Sequence, residues 1–119
     1  MVPTRSESRH PGLVRTDGPA SYFAEGAYLK GPVRRWRGVP AAASAAQHVA
    51  IALKNAVDAS GMTVTSVCAT SGVGRSTFYA VLRGDVYPDF VTVAELSDAL
   101  GVSLWPGSPL VVAAAGSGP

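Results

Sequence analysis

The chain has 119 residues, of which 47% are hydrophobic and 15% are charged, and its formal net charge is +2. This length suits one domain, and no apolar run approaches the roughly 18 residues that a membrane span needs. The single cysteine, Cys68, excludes an internal disulfide and is typical of a protein from a reducing cytoplasm.

Charge divides the chain into two unlike parts. Residues 1–40 hold seven basic and three acidic residues, whereas residues 41–119 hold three basic and five acidic ones. Five prolines and the lack of helical periodicity before residue 41 lead us to predict a disordered basic segment over residues 1–43. Within it stand an aromatic stretch, SYFAEGAYLK at residues 21–30, and a basic stretch, RRWR at residues 34–37.

The first helix is predicted over residues 45–59. Ser44 can cap it, and Gln47 follows three residues later as in a capping box. Gly61 is a natural stop for this helix. Apolar residues recur between these ends at helical spacing: Ala46, Val49, Ala50, Leu53 and Val57.

Three shorter helices are predicted downstream. Thr63 can cap one over residues 64–71, another spans residues 75–83, and the last runs between the cap Asp89 and Gly101. Helices this short persist in water only by packing together, so we expect a compact all-α domain. Its apolar faces hold Phe78, Val81, Val93, Leu96 and Leu100.

The domain is predicted to span residues 44–105. Residues 106–119 form a flexible tail by composition, although their stretch PLVVAAAG can also add a strand to another chain.

Gly72, Val73 and Gly74 form the predicted turn between the second and third helices. We expect positive φ at Gly72, a buried Val73 that plugs the gap, and Gly74 as the cap of the third helix. Two short helices joined by such a turn expose the N-terminal end of the second helix. The free N–H groups and the helix dipole at that end favour a phosphate group. Arg, Ser, Thr and Tyr side chains stand there, and Arg can bond both acceptors of guanine: Arg75, Ser76, Thr77 and Tyr79.

In their order and spacing, these features resemble the helix-turn-helix domain of the Cro and lambda-repressor type of bacterial and phage regulators. The resemblance covers about residues 44–104. The matching features are Met62-Thr63, Gly72-Val73, Ser76-Thr77-Phe78, Arg83-Gly84, Pro88, Leu96 and Ala99-Leu100-Gly101-Val102. Where many members have a fifth helix, this chain has Trp105-Pro106-Gly107.

The resemblance implies a compact four- to five-helix lambda-repressor-like bundle that acts as a sequence-specific transcriptional regulator in the bacterial cytoplasm. Its partner would be double-stranded DNA, with helix 75–83 in the major groove, and it would bind a two-fold operator as a homodimer. The starts of the second and fourth helices would contact phosphates. The residues expected to contact DNA are Thr63, Arg75, Ser76, Thr77, Tyr79 and Arg83, together with Arg34, Arg35 and Arg37 of the basic stretch.

Two considerations qualify this interpretation. The predicted domain carries a net charge of −2, so we expect its downstream carboxylates, Asp85, Asp89, Glu95 and Asp98, to face largely away from DNA. An adaptor or antitoxin-like module that binds a protein through residues 21–30 is the alternative function. No catalytic motif, metal site or cofactor is predicted, because His10 and His48 lack companion ligands.

Overall fold

Four α-helices and one short 3-10 helix make up the regular structure of residues 17–30 and 38–107, the parts of the chain that the computed structural model describes. These two ranges contain no strand, so the predicted all-α class is confirmed there. None of their helices is long and apolar enough to cross a membrane. The 3-10 helix is Pro19–Tyr22, and the α-helices are α1 (Ala41–Ser60), α2 (Val64–Ser71), α3 (Arg75–Arg83) and α4 (Phe90–Leu100).

Side-chain caps begin two of these helices where the sequence predicted them. The Thr63 hydroxyl accepts a hydrogen bond from the Ser66 N–H at 3.0 Å, which satisfies a first-turn donor of α2. The Asp89 carboxylate does the same for the Thr92 N–H of α4, at 2.7 Å. The predicted bounds of α2, α3 and α4 are confirmed, and each α-helix is followed by a glycine with positive φ.

The core lies where α1 and α2 each pack against both α3 and α4. The predicted apolar faces supply it, and Leu104 closes it from the loop after α4. Leu104 is held there because its N–H donates to the Ser97 hydroxyl at 3.1 Å. The large side chains with 1% exposure or less include Leu53, Val67, Phe78, Val81, Leu96 and Leu104.

The predicted start of α1 is wrong. The helix begins at Ala41, Pro40 is its N-cap residue without a side-chain cap, and the Ser44 N–H already bonds the Pro40 carbonyl at 3.1 Å. Gln47 cannot complete a capping box because its amide is fully buried and donates to the Tyr28 carbonyl at 3.0 Å. The alanines from Ala41 onward favour helix strongly enough to extend it to the proline.

The predicted disorder of residues 1–43 is wrong for residues 17–30 and 38–43. The 3-10 helix packs against α1, and the Ala20 N–H donates to the Gly84 carbonyl at 3.0 Å. Tyr28 is 6% exposed, and the Phe23 ring meets its ring edge-on at a centroid distance of 5.4 Å. The aromatic stretch is therefore a structural part of the domain, which its composition did not indicate.

Several expectations fall outside the described residues. They concern residues 1–16, the RRWR stretch within residues 31–37, and residues 108–119 of the predicted tail.

Candidate nucleic-acid interface

The turn between α2 and α3 is tightly hydrogen-bonded. Gly72 has φ +80°, and its N–H donates to the Cys68 carbonyl at 2.8 Å. The Val73 N–H donates to the hydroxyl of Ser71 at 3.1 Å, and the Val73 side chain packs against the core. Ser71 is itself buried. These hydrogen bonds and the packing of Val73 therefore fix the orientation of α3 relative to α2. The positive φ predicted for Gly72 is confirmed, whereas Val73 is half-buried and not fully buried as predicted.

The start of α3 faces solvent. Arg75, Ser76 and Thr77 are exposed, and Tyr79 is 41% exposed although its ring contacts that of Phe78 edge-on. Gly74 is the N-cap residue, as predicted, and it offers no side-chain acceptor to the first turn. The first N–H groups of α3 are therefore available to an external acceptor, and the helix dipole favours an anionic one.

Arg75 folds back onto α2. Its guanidinium Nη1 donates to the Thr65 hydroxyl at 3.4 Å. Burial raises the pKa of the Cys68 thiol, and the positive charge of Arg75 partly offsets that rise. Arg75 thus occupies the seam between α2 and α3, with a neutral hydroxyl as its hydrogen-bond acceptor.

The basic side chains of residues 38–107 differ in their partners. Lys54 pairs with Asp58 at 3.1 Å on α1, and Arg83 pairs with Asp85 at 2.7 Å just past the end of α3. Arg75 pairs with no carboxylate of the described part of the chain. Its charge is therefore the least neutralised on this face, whereas the charge of Arg83 is partly neutralised by Asp85.

Two hollows flank Thr77 and join α3 to the start of α4. One, of about 430 Å³, is lined by Ser76 and Thr77 on α3 and by Asp89 and Thr92 at the start of α4. The other, of about 410 Å³, extends from the glycine turn past Thr77 to Glu95. The starts of α3 and α4 therefore share one surface.

Two of the acidic residues, Asp89 and Glu95, lie on the same surface as Thr77. Both line the hollows beside Thr77, because α4 begins against the first turn of α3. The Thr92 N–H donates to Asp89 and lowers the pKa of its carboxyl, so Asp89 remains charged at neutral pH. This surface therefore combines exposed hydroxyls and one cation with two carboxylates.

The remaining predicted site residues have varied surroundings. Thr63 is exposed, but its hydroxyl already caps α2. Arg34, Arg35 and Arg37 lie outside the described residues. His48 is buried on α1, where burial lowers its pKa, and no group of three His, Cys, Asp or Glu side chains in residues 17–30 and 38–107 is placed to hold a metal.

Sequence reasoning missed two residues of this surface, Thr65 and Ser71. Thr65 meets Arg75 across ten positions of the chain, and no local pattern indicates that contact. The role of Ser71 could have been predicted from the sequence. A hydroxyl directly before a glycine turn often accepts a hydrogen bond from the backbone N–H two residues further on.

Comparison with known proteins found no matching family model, and no curated protein or solved structure matches the chain significantly.

Proposed function

We propose that the protein is a sequence-specific regulator of transcription that binds double-stranded DNA with α3 in the major groove. The observation that carries the proposal is the exposed, uncapped start of α3, with Arg75, Ser76 and Tyr79 facing solvent behind a hydrogen-bonded turn. Its order of helices, turn and glycines resembles the helix-turn-helix of Cro and lambda-repressor-type regulators.

The roles follow from chemistry and position. The Arg75 guanidinium can bond N7 and O6 of a guanine, while Ser76, Thr77 and Tyr79 reach neighbouring bases or phosphates. The first turns of α2 and α4, at Thr63 and Thr92, meet the backbone on either side, since helix starts favour phosphate. Arg83 donates to a phosphate with the guanidinium N–H groups that do not bond Asp85.

The charges at this surface determine how strongly the domain is expected to bind DNA of any sequence. Few unpaired cations and two carboxylates at this surface predict weak non-specific affinity, because that affinity depends on phosphates neutralised by Lys and Arg. We propose that Arg34, Arg35 and Arg37 supply the missing backbone contacts. Two copies on a two-fold operator would further raise the affinity.

The adaptor alternative receives less support. It requires residues 21–30 as a free peptide for a protein partner. Tyr28 is instead buried against the domain, and its carbonyl accepts a hydrogen bond from Gln47. A partner would have to displace this packing before it could use the aromatic side chains.

The decisive experiment enriches the full chain on a library of randomised duplexes, then measures binding of the enriched site against salt. A recurrent guanine-containing motif and a linear fall of log affinity with log salt are expected. The triple variant R34A/R35A/R37A should flatten the salt slope, and it keeps residues 17–30, which pack against the domain. Enrichment of no motif, with no duplex binding at low salt, contradicts the proposal.

A further inference from the structure

An apolar groove lies between the first half of α1 and the start of α4, on the side where Trp105 and Pro106 leave the core. Its volume is about 320 Å³, and each lining residue is aliphatic, aromatic or proline. Ala42 and Ala45 form one wall, and Phe90 and Trp105 form the other, with ring centroids 4.8 Å apart. Among the described residues, no charged side chain lines it.

Phe90 makes this groove unusual. It is 74% exposed, although its ring packs at an angle against that of Trp105. A short apolar segment would be large enough to cover it. Single exposed apolar residues are common, but a concave surface lined by three aromatic residues, Tyr87, Phe90 and Trp105, with little polar surface is the kind that binds another apolar group.

The sequence that follows Pro106 contains an apolar segment that matches the chemistry of the groove. Pro106 lines it, and Gly107, with φ +94°, ends the described residues immediately afterwards. Leu110, Val111 and Val112 begin three residues beyond Gly107, within a reach of about 10 Å. They open an uncharged run of six aliphatic residues that the proposed DNA contacts do not use.

We propose that Leu110, Val111 and Val112 occupy this groove within the same molecule and cover Phe90 and Trp105. A three-residue tether gives the segment an effective concentration in the millimolar range, which favours it over a second copy at ordinary protein concentrations. The uncharged segment matches the uncharged lining. The proposal does not depend on DNA binding, because none of the residues that line the groove is among the proposed DNA contacts.

Trp105 provides the test, because the chain has only two tryptophans and Trp36→Phe leaves one emitter. In that background, a chain ending at Gly107 is compared with the full chain and with a chain ending at Val112. We expect red-shifted emission and stronger acrylamide quenching only for the chain ending at Gly107. The full chain and the chain ending at Val112 should agree, at every protein concentration.

Truncation could also change the emission by disturbing the fold, so two variants of full length serve as a second test. Circular dichroism checks that their helix content is unchanged. L110S/V111S/V112S should reproduce the red shift, and the matched A113S/A114S/A115S should not. If neither the truncation at Gly107 nor L110S/V111S/V112S changes the emission of Trp105, the proposal is overturned. Emission of the full chain that shifts on dilution also overturns it, since a second copy would then cover the groove.

Discussion

The backbone N–H of Ala20 donates a hydrogen bond to the carbonyl of Gly84, 3.0 Å away, and so joins the N-terminal segment to the residue that ends α3. Gly84 has φ +76°, and a Cβ there would overlap Ala20 and the ring of Tyr28. Gly18 lies equally close to the backbone of Gly84 and Asp85. Part of the segment that was expected to be disordered therefore packs on the C-terminal end of α3.

Gly18→Ala should loosen this contact. Gly18 has an ordinary φ of −72°, so the substitution adds no backbone strain, but its Cβ would overlap the Gly84 and Asp85 backbone. Overpacking of this kind costs about 1–3 kcal/mol. Urea unfolding should show the loss, and chymotrypsin should cut at Phe23 sooner. Gly74→Ala, where nothing lies within 4 Å, is the control and should cost no more than about 1 kcal/mol.

Gln47→Ala should destabilise the protein, and Ser44→Ala should not. Gln47 is fully buried and its amide donates to the Tyr28 carbonyl, so its loss leaves that acceptor unpaired at a cost of about 1–3 kcal/mol. Ser44 lies inside α1 and caps nothing, so its change should stay within about 0.5 kcal/mol. Equal losses of unfolding free energy for the two variants in urea would instead indicate that Ser44 and Gln47 form a capping box, contrary to the structure.

Asp89 should make stability depend on acidity. The Thr92 N–H lowers the pKa of its carboxyl below the usual 3.8, so the ionised form is favoured in the folded state. That contribution is complete above about pH 4 and is lost as the pH falls through the lowered folded pKa. Asp89→Asn keeps a capping oxygen but does not titrate. Thermal unfolding between pH 2 and about 6 should therefore converge for the two proteins at the acid end; a constant difference would contradict this role.

Arg75→Ala should weaken binding to the enriched duplex by about 1–3 kcal/mol if Arg75 reads a guanine. Anisotropy titrations against that duplex and against one with the guanine replaced would measure the effect. The variant should lose its preference between the two, while its affinity for random DNA falls much less. Lys54→Ala, which removes a cation paired with Asp58 on α1, is the matched control. Similar losses for both variants would argue against direct readout.

Glu95→Gln should strengthen DNA binding, because Glu95 lines a hollow next to Thr77 and repels phosphate. A screened charge at this distance is worth a few tenths to about 1 kcal/mol, or roughly a two- to fivefold gain at low salt. Asp98→Asn makes the same charge change one turn further along α4, beside neither hollow. Its affinity for duplex DNA should change less, and an equal gain would mean that only net charge matters.

Local sequence was sufficient for the bounds of α2, α3 and α4. Thr63, Asp89 and Gly72 act through atoms two to four residues away, so their chemistry is visible in the chain itself. The same holds for the exposed start of α3, where Arg75 and Ser76 follow a glycine turn. Periodicity also identified core residues such as Phe78 and Leu96, because helical spacing fixes which side chains share a face.

Contacts between distant residues decided the rest. Gln47 matched a capping pattern, but its burial against Tyr28, nineteen positions away, gave it another partner. Asp89 and Glu95 came to lie beside Thr77 because α4 packs at the start of α3, which charge counting along the chain cannot reveal. The sequence thus determined the helices and the side chains they expose. Only the tertiary structure determined which of those side chains meet, since that depends on how the separate apolar faces close around one core.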